Sequence, residues 1–552
     1  MGLLVGLFGY LGIILNGLGL IAQSAALGGV LFLVLLARPF ASALGDSAPE
    51  GVGALVRRDS ARIAGWAALV LIVCQAGSVA LSGAVLAAEV HLSVPAVLSA
   101  PFALSGLVQI AAALALAVLL AAGRTPSALL VALVAVDLAA ATFTTHGASR
   151  LSGRALLMGA EGLHQFGAAI WIGGLPCFVA ALARCRDGAA FRRVGARFSR
   201  MSMAGVGCIL LSGIAMSVVF VGSLQGFYGT AYGVMVAAKI VMFLALLALG
   251  FMNFRLVERL RRDPDVSVNR LKRFAEVEIV VGIGVILAAV SLTSAPPAAD
   301  LRGQQVSWAA IVARNAPVWP RLASPARDTL ALPALQAKLD AQAAGKADPP
   351  AAFIPGSDAV APRNAADIAW SEYNHHWAGI FVALIGLLAL LGQGGARWAR
   401  HWPLVFLGLA AFLFFRSDPE AWPLGQIGFL ASMRDIEVLQ HRFFVLLIAA
   451  FALFEWRVRA GALGAGRAAL VFPILTAAGG ALLLTHSHAI ANIQDQMLIE
   501  LTHTPIALLG IAAGCARWLE LRLDRPSSRA AGWVWPVCFV LVGLLLLNYR
   551  EA

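Results

Sequence analysis

Long apolar runs alternate with short polar breaks along almost the whole chain. The runs begin near Leu7, Ala61, Phe102, Ser127, Ala155, Met201, Ala231, Phe274, Ile368, His401, Ile436, Ala468, Gln496 and Gly532. A helix needs about 20 predominantly apolar residues to cross a bilayer, and about fourteen runs answer to that length. The pattern predicts an all-α, polytopic helical membrane protein. One long hydrophilic stretch, residues 296–367, divides it into two halves. Residues 1–295 hold about eight runs and residues 368–552 about six. The dividing stretch is rich in Ala and Pro (Pro296-Pro297, Pro349-Pro350, Pro355, Pro362) and is expected to be a largely irregular loop. The first run continues to Leu36 without a basic segment before it, so it reads as a span and not as a cleaved signal.

Composition agrees with the pattern. Hydrophobic residues make up 60% of the 552 and charged residues 13%, against about 25% charged in a soluble domain. The net charge of +12 raises nucleic acid as a partner, but the distribution excludes it. Arginines gather in alternate short loops: Arg57, Arg58 and Arg62; Arg184 through Arg200; Arg255 through Arg273; Arg397 and Arg400; Arg457 and Arg459; Arg522, Arg525 and Arg529. The intervening loops hold few. By the positive-inside rule the rich loops face the cytoplasm, which puts both termini and residues 296–367 outside. The partner expected is a lipid bilayer.

The chemistry lies in a recurring acid–imidazole spacing. Glu161/His164, Glu372/His375 and Glu500/His503 stand three apart, and Glu437/His441 four apart. Side chains at these spacings are neighbours on one helix face. A carboxylate there serves as a co-ligand or fixes the imidazole tautomer. A Glu in the first turn also suits the helix dipole with no further role, but that does not supply the His. Of the ten histidines, only His401 falls on the arginine-rich side; His91, His146, His164, His375, His376, His441, His486, His488 and His503 fall on the other. A thioether completes a ladder in Met158-x-x-Glu161-x-x-His164 and Met497-x-x-Glu500-x-x-His503, and Met433 precedes Glu437 by four. Imidazole and thioether together favour copper. His486 and His488 converge only where a helix ends. Trp171 follows His164 by about two turns and is expected on the same face. Within the runs, Asp137 and Lys239 are further polar positions that a pairing would explain, with Asn16 and Gln23 beside them. The six cysteines form no Cys-x-x-Cys pair and read as packing residues. Nucleotide-loop, zinc-protease and covalent c-type haem motifs are absent, while non-covalent haem b needs no local motif.

His164 followed by Trp171-Ile172-Gly173-Gly174-Leu175 resembles the copper resistance D family of inner-membrane proteins, best over about 155–295. Tyr373-Asn374-His375-His376-Trp377-Ala378-Gly379 and His486-Ser487-His488 are similar to extended members with a second membrane half. The His-to-Trp-Gly-Gly pattern also resembles haem-associated membrane proteins of the protoporphyrinogen oxidase type. The first resemblance implies copper handling between periplasm and cytoplasm, with a periplasmic copper-binding protein as a delivery partner. The expected function is copper transport, with uptake favoured over export and no enzymatic activity. The expected ligands are Met158, Glu161, His164, His375, His376, His441, His486, His488, Met497, Glu500 and His503. The alternative is haem b held by His164, His441 and His503 in electron transfer or redox chemistry.

Overall fold

The structure, a computed structural model, describes residues 2–43, 51–123, 125–263, 266–330, 364–433, 436–463, 466–485 and 493–551. Twelve of the described helices are long and apolar enough to cross a membrane, and two shorter apolar helices, Ser127–Thr142 and Arg467–Leu483, stand where the remaining runs were expected. Among the described residues there is no strand, only an isolated bridge between Ala421 and Ile427. The protein is an all-α polytopic membrane protein. In hydrocarbon, the helix is what satisfies every backbone group from within its own segment.

The chain forms two compact units: Met1–Phe227 with Met235–Arg302, and Tyr228–Val234 with Gly303–Ala552. In the first, the helices are α1 (Gly2–Phe32), α2 (Val52–Glu89), α3 (Pro101–Ala122), α4 (Ser127–Thr142), α5 (Arg154–Ala168), α6 (Leu175–Arg184), α7 (Gly188–Phe220), most of α8 (Ala231–Arg262), and α9 (Asn269–Ser294). The arginine-rich loops meet at one end of this unit. Arg184 pairs with Asp59 at 2.7 Å, and the Lys272 ammonium lies 5.1 Å over the Phe191 ring. At the opposite end Arg150 grips Asp300 with two bonds of 2.9 Å, and His146 Nε2 donates to the Leu292 carbonyl at 3.1 Å.

Between α5 and α6 the helix widens into a π-turn, Ala169–Gly173. This is the Trp171-Ile172-Gly173-Gly174 stretch, and its glycine has a packing reason. A Cβ built on Gly173 would stand 1.8 Å from the Ser24 carbonyl oxygen of α1. One built on Gly28 would stand 2.1 Å from the Ala169 carbonyl oxygen. The two backbones touch because neither residue has a side chain, which is how small residues bring membrane helices together.

The second unit comprises α10 (Trp308–Asn315), α11 (Ala365–Gln393), α12 (Val405–Arg416), α13 (Ile436–Arg459), α14 (Val471–Leu483), α15 (Ile493–Arg522) and α16 (Ser527–Leu547). Asn364 and Asp367 close a capping box at the start of α11. Gly379, in the His375-His376 motif, lets α11 approach α16; its Cβ would lie 2.9 Å from the Gly543 carbonyl oxygen. Trp402, Phe472 and Trp535 build the aromatic core, with the Arg459 guanidinium 4.5 Å over Trp402. The hydrophilic stretch is more ordered in its first part than composition suggests. Val306 and Ile311 are buried against Met497, and the Trp377 indole donates to the Leu322 carbonyl at 3.1 Å. Residues 331–363 lie outside the described residues.

Substituting Gly173→Ala should force α1 off the π-turn at a cost of about 1–3 kcal/mol, the usual range for overpacking. Gly207→Ala on α7, where a Cβ meets nothing within 4 Å, is the control. Thermal unfolding of the purified protein in detergent reads the difference, and equal midpoints for the two variants would contradict the packing account.

Candidate functional site

Two groups of polar side chains, one in each unit, gather at the ends opposite the arginine-rich loops. In the first unit, α5 lies against α7 through glycines: a Cβ on Gly167 would stand 2.7 Å from the Gly205 carbonyl oxygen. That approach delivers His164 to Ser212, with Nδ1 and Oγ 3.0 Å apart. Ser212 already gives its hydroxyl proton to the Cys208 carbonyl at 2.6 Å. A hydroxyl has one proton, so Ser212 accepts and His164 Nδ1–H donates. The neutral ring then carries its lone pair on Nε2, the form that binds a metal. Lys239 of α8 acts electrostatically on both His164 and Glu161.

Glu161 does not bond His164. Its Oε1 accepts from the Gly147 backbone N–H at 3.2 Å. Asp137 does not pair with Lys239 either; its Oδ2 accepts from Gln23 at 2.7 Å. The expectation that Trp171 shares the His164 face rests on 3.6 residues per turn, and the π-turn breaks that register. Trp171 packs edge-on to Phe243, ring centres 6.0 Å apart, and its indole acts on the Glu278 carboxyl.

In the second unit His375, His503 and Tyr549 form a triangle of rings. His375 stacks on Tyr549 at 3.9 Å, and His503 meets His375 edge-on at 6.1 Å and Tyr549 at 5.7 Å. His375 Nδ1 donates to the Ser371 carbonyl at 2.8 Å, and His503 Nδ1 donates to the Ile499 carbonyl at 2.9 Å. Both are bonds to the preceding helical turn. Both fix the tautomer seen at His164, with the lone pair on Nε2. Glu551 is buried beside them, accepting from Tyr549 Oη at 2.9 Å and from Ser371 Oγ.

The neighbouring His376 differs. Its Nδ1 accepts from the Arg321 backbone N–H at 2.7 Å, and its Nε2–H donates to the Tyr549 carbonyl at 2.9 Å. Both nitrogens are occupied by backbone, so His376 is a strut and would have to break the fold locally to bind metal. Glu372 turns to Arg321 at 3.2 Å instead of to His375. Glu500 is buried, 6% exposed, and among the described residues it makes no hydrogen bond to His503. Met497 is sealed in an apolar cluster with Ala231, Val234, Val306 and Ile311, which removes it from any ladder in this conformation. Met158 is half-buried on α5. His441 finds its carboxylate in Asp418, beyond the end of α12, at 2.6 Å. The Glu437 side chain, His486 and His488 lie outside the described residues.

Sequence spacing missed Ser212, Asp418, Tyr549 and Glu551, because each is brought in by a different segment. Among the described residues no three His, Cys, Asp or Glu groups are gathered tightly enough to hold a metal ion. The cysteines are free, and all but Cys208 are buried. A cleft of about 840 Å³ lies among the arginine-rich loops, but its lining of Arg186, Lys272 and Arg273 repels a metal cation.

Residues 192–292 match the family described as copper resistance protein D. The chain contains a copper resistance protein D region. It covers most of α7, all of α8 and most of α9, with Ser212 and Lys239, and begins after His164 and Trp171. The chain is also 31% identical over 137 residues to the copper transport protein CutJ of Bacillus subtilis (strain 168). That alignment covers 24% of this chain and 24% of the relative's length. No solved structure matches.

His376→Ala should lower stability by about 1–3 kcal/mol, since two buried backbone groups lose their partners. Its copper content should match that of the wild type. Thermal unfolding together with metal analysis on one sample checks both; a stable variant that has lost copper would make His376 a ligand.

Proposed function

We propose that the protein carries copper across the bacterial inner membrane, inward from the periplasmic side. The observation that supports this most directly is the shared tautomer of His164, His375 and His503. Each gives Nδ1–H to a neighbour of its own unit and keeps the metal-binding lone pair on Nε2. The copper resistance protein D region and the likeness to a copper transport protein support the choice of metal. Incomplete coordination suits transport, because an ion must bind well enough to enter and weakly enough to leave. Reduced copper accepts two or three nitrogen or sulfur donors. His375 and His503 would offer the first pair, with Glu551 and Tyr549 as their positioning neighbours. His164 would serve the first unit, with Glu161 and Lys239 setting the local charge and Met158 one turn nearer the helix start. His441, His486, His488 and Glu500 are further metal contacts in this reading.

The positive-inside rule supports the orientation: arginine-rich loops in the cytoplasm, and both imidazole groups facing the periplasm, where a copper-binding protein would hand over its metal. The bias in ligand placement favours uptake, since the arginine-rich face carries no cysteine or methionine cluster.

The test is purified protein in liposomes loaded with a reduced-copper indicator. Wild type should bind copper, show no Soret absorption and load the vesicles. His375→Ala with His503→Ala should lower copper affinity by at least about tenfold, since even outer-shell changes cost that much. A Soret band lost on His164→Ala or His503→Ala would replace copper with haem. Binding without flux would leave a sensor or an assembly partner.

A further inference from the structure

The first unit holds a second polar site that the copper reading does not use. Glu278 of α9 is 3% exposed and Asn253 of α8 is 8% exposed. Asn253 Nδ2 donates to Glu278 Oε1 at 2.7 Å, and the Trp171 indole acts on the same carboxyl group. Asn253 Oδ1 is buried and has no partner. In this arrangement Asn253 Oδ1 is left without a donor. A buried unpaired acceptor costs about 1–3 kcal/mol, so the shortage needs a guest.

Among the described residues no ion pair engages Glu278. α1 and the π-turn, which pack on α9, carry no charged residue. Arg184, the charged residue of α6, is engaged by Asp59. On α9 itself Arg273 pairs with Glu276, and on α8 Arg255 lies over the Phe251 ring. A proton on the Glu278 carboxyl supplies the missing donor and removes an uncompensated charge from an apolar setting. Acids inside membrane spans mark ion and proton paths by default.

The position gives this site its partner. α8 carries Lys239, beside Glu161 and His164, and then Asn253, about 21 Å further toward the arginine-rich end by the helical rise. α5 carries His164 and runs through the π-turn to Trp171. Asn253 thus shares α8 with Lys239, and Trp171 follows His164 through the π-turn, while Glu278 itself stands on α9.

We propose that Glu278, with Asn253 and Trp171, is a proton-binding site whose proton is exchanged for copper, so that the protein is a copper–proton exchanger. This rests on the copper-transport reading. As Cu⁺ arrives, the carboxyl O–H bond breaks, the proton leaves to water on the entry side, and the carboxylate balances the cation. As Cu⁺ leaves at the arginine-rich end, a proton from that side restores the carboxyl. One positive charge moves each way, and no oxidant or reductant takes part.

The experiment uses the full chain in liposomes with an indicator for copper and another for pH. Copper entry by wild type should drive protons out. Glu278→Gln keeps the acceptor for Asn253 and Trp171 but holds no exchangeable proton; its copper-driven proton movement should fall to that of empty liposomes, with the wild-type copper content retained. Wild type that carries copper without moving protons overturns the exchange and leaves the copper reading standing. A variant that moves protons as wild type does also overturns it. Infrared difference spectra against pH, recorded without copper, judge the site separately. The carbonyl band of a protonated carboxyl should vanish in Glu278→Gln and shift in Trp171→Phe, which keeps the acid and removes one donor. An unchanged spectrum in Glu278→Gln overturns the proton site, whether or not copper is carried. Failure of copper flux in wild type with that band present overturns the transport reading and the exchange with it.

Discussion

The hydroxyl of Ser212 has a single proton, and the Cys208 carbonyl takes it. Everything at His164 follows from that. The imidazole must donate through Nδ1, so the lone pair sits on Nε2. Inside a membrane there is no water to relax this constraint, and the partner has to be protein. His375 and His503 reach the same state by a local route, each donating to the carbonyl of the preceding turn. His376, one residue from His375, reaches the opposite state because backbone from two other segments claims both nitrogens. Adjacent histidines in one motif thus divide into a metal-competent ring and a strut.

The constraint reaches back into the packing. Ser212 meets His164 only because Gly167 and Gly205 let α5 and α7 touch, and the π-turn holds its place only because Gly173 and Gly28 let α1 press on it. The Trp-Gly-Gly stretch that the sequence offers as a signature is therefore first a packing device. It adds a residue to the turn, rotates Trp171 away from the register a regular helix would give, and brings its indole to Glu278.

This explains how far the sequence could be read. Apolar run length is a local property, so helices stand at every expected run, including the two short ones. Acid–imidazole spacing is local too, but the bonds are not. Glu161 turns to Gly147, Glu372 to Arg321, and His441 to Asp418, all across segments. Met497 shows the same limit. Its place one turn before Glu500 is what a ladder needs, yet it faces Val306 and Ile311, which no periodicity within α15 reveals. Glu278 was visible by the signal that marks Asp137, an acid within an apolar run. What the spacing could not supply was its pairing with Asn253.

Charge decides what such a pathway can do. A cation moving through low-dielectric protein needs a compensating charge at each stop, and a carboxylate left behind without one is costly. Glu161 has a cation, Lys239, acting on it before any metal arrives. Glu278 has two neutral donors and no cation. The first arrangement tolerates an empty state as it stands. The second tolerates one only with a proton in place. A protein that holds both kinds of acid in one unit, Glu161 on α5 and Glu278 on α9, has the means to admit a cation at one and to exchange it for a proton at the other.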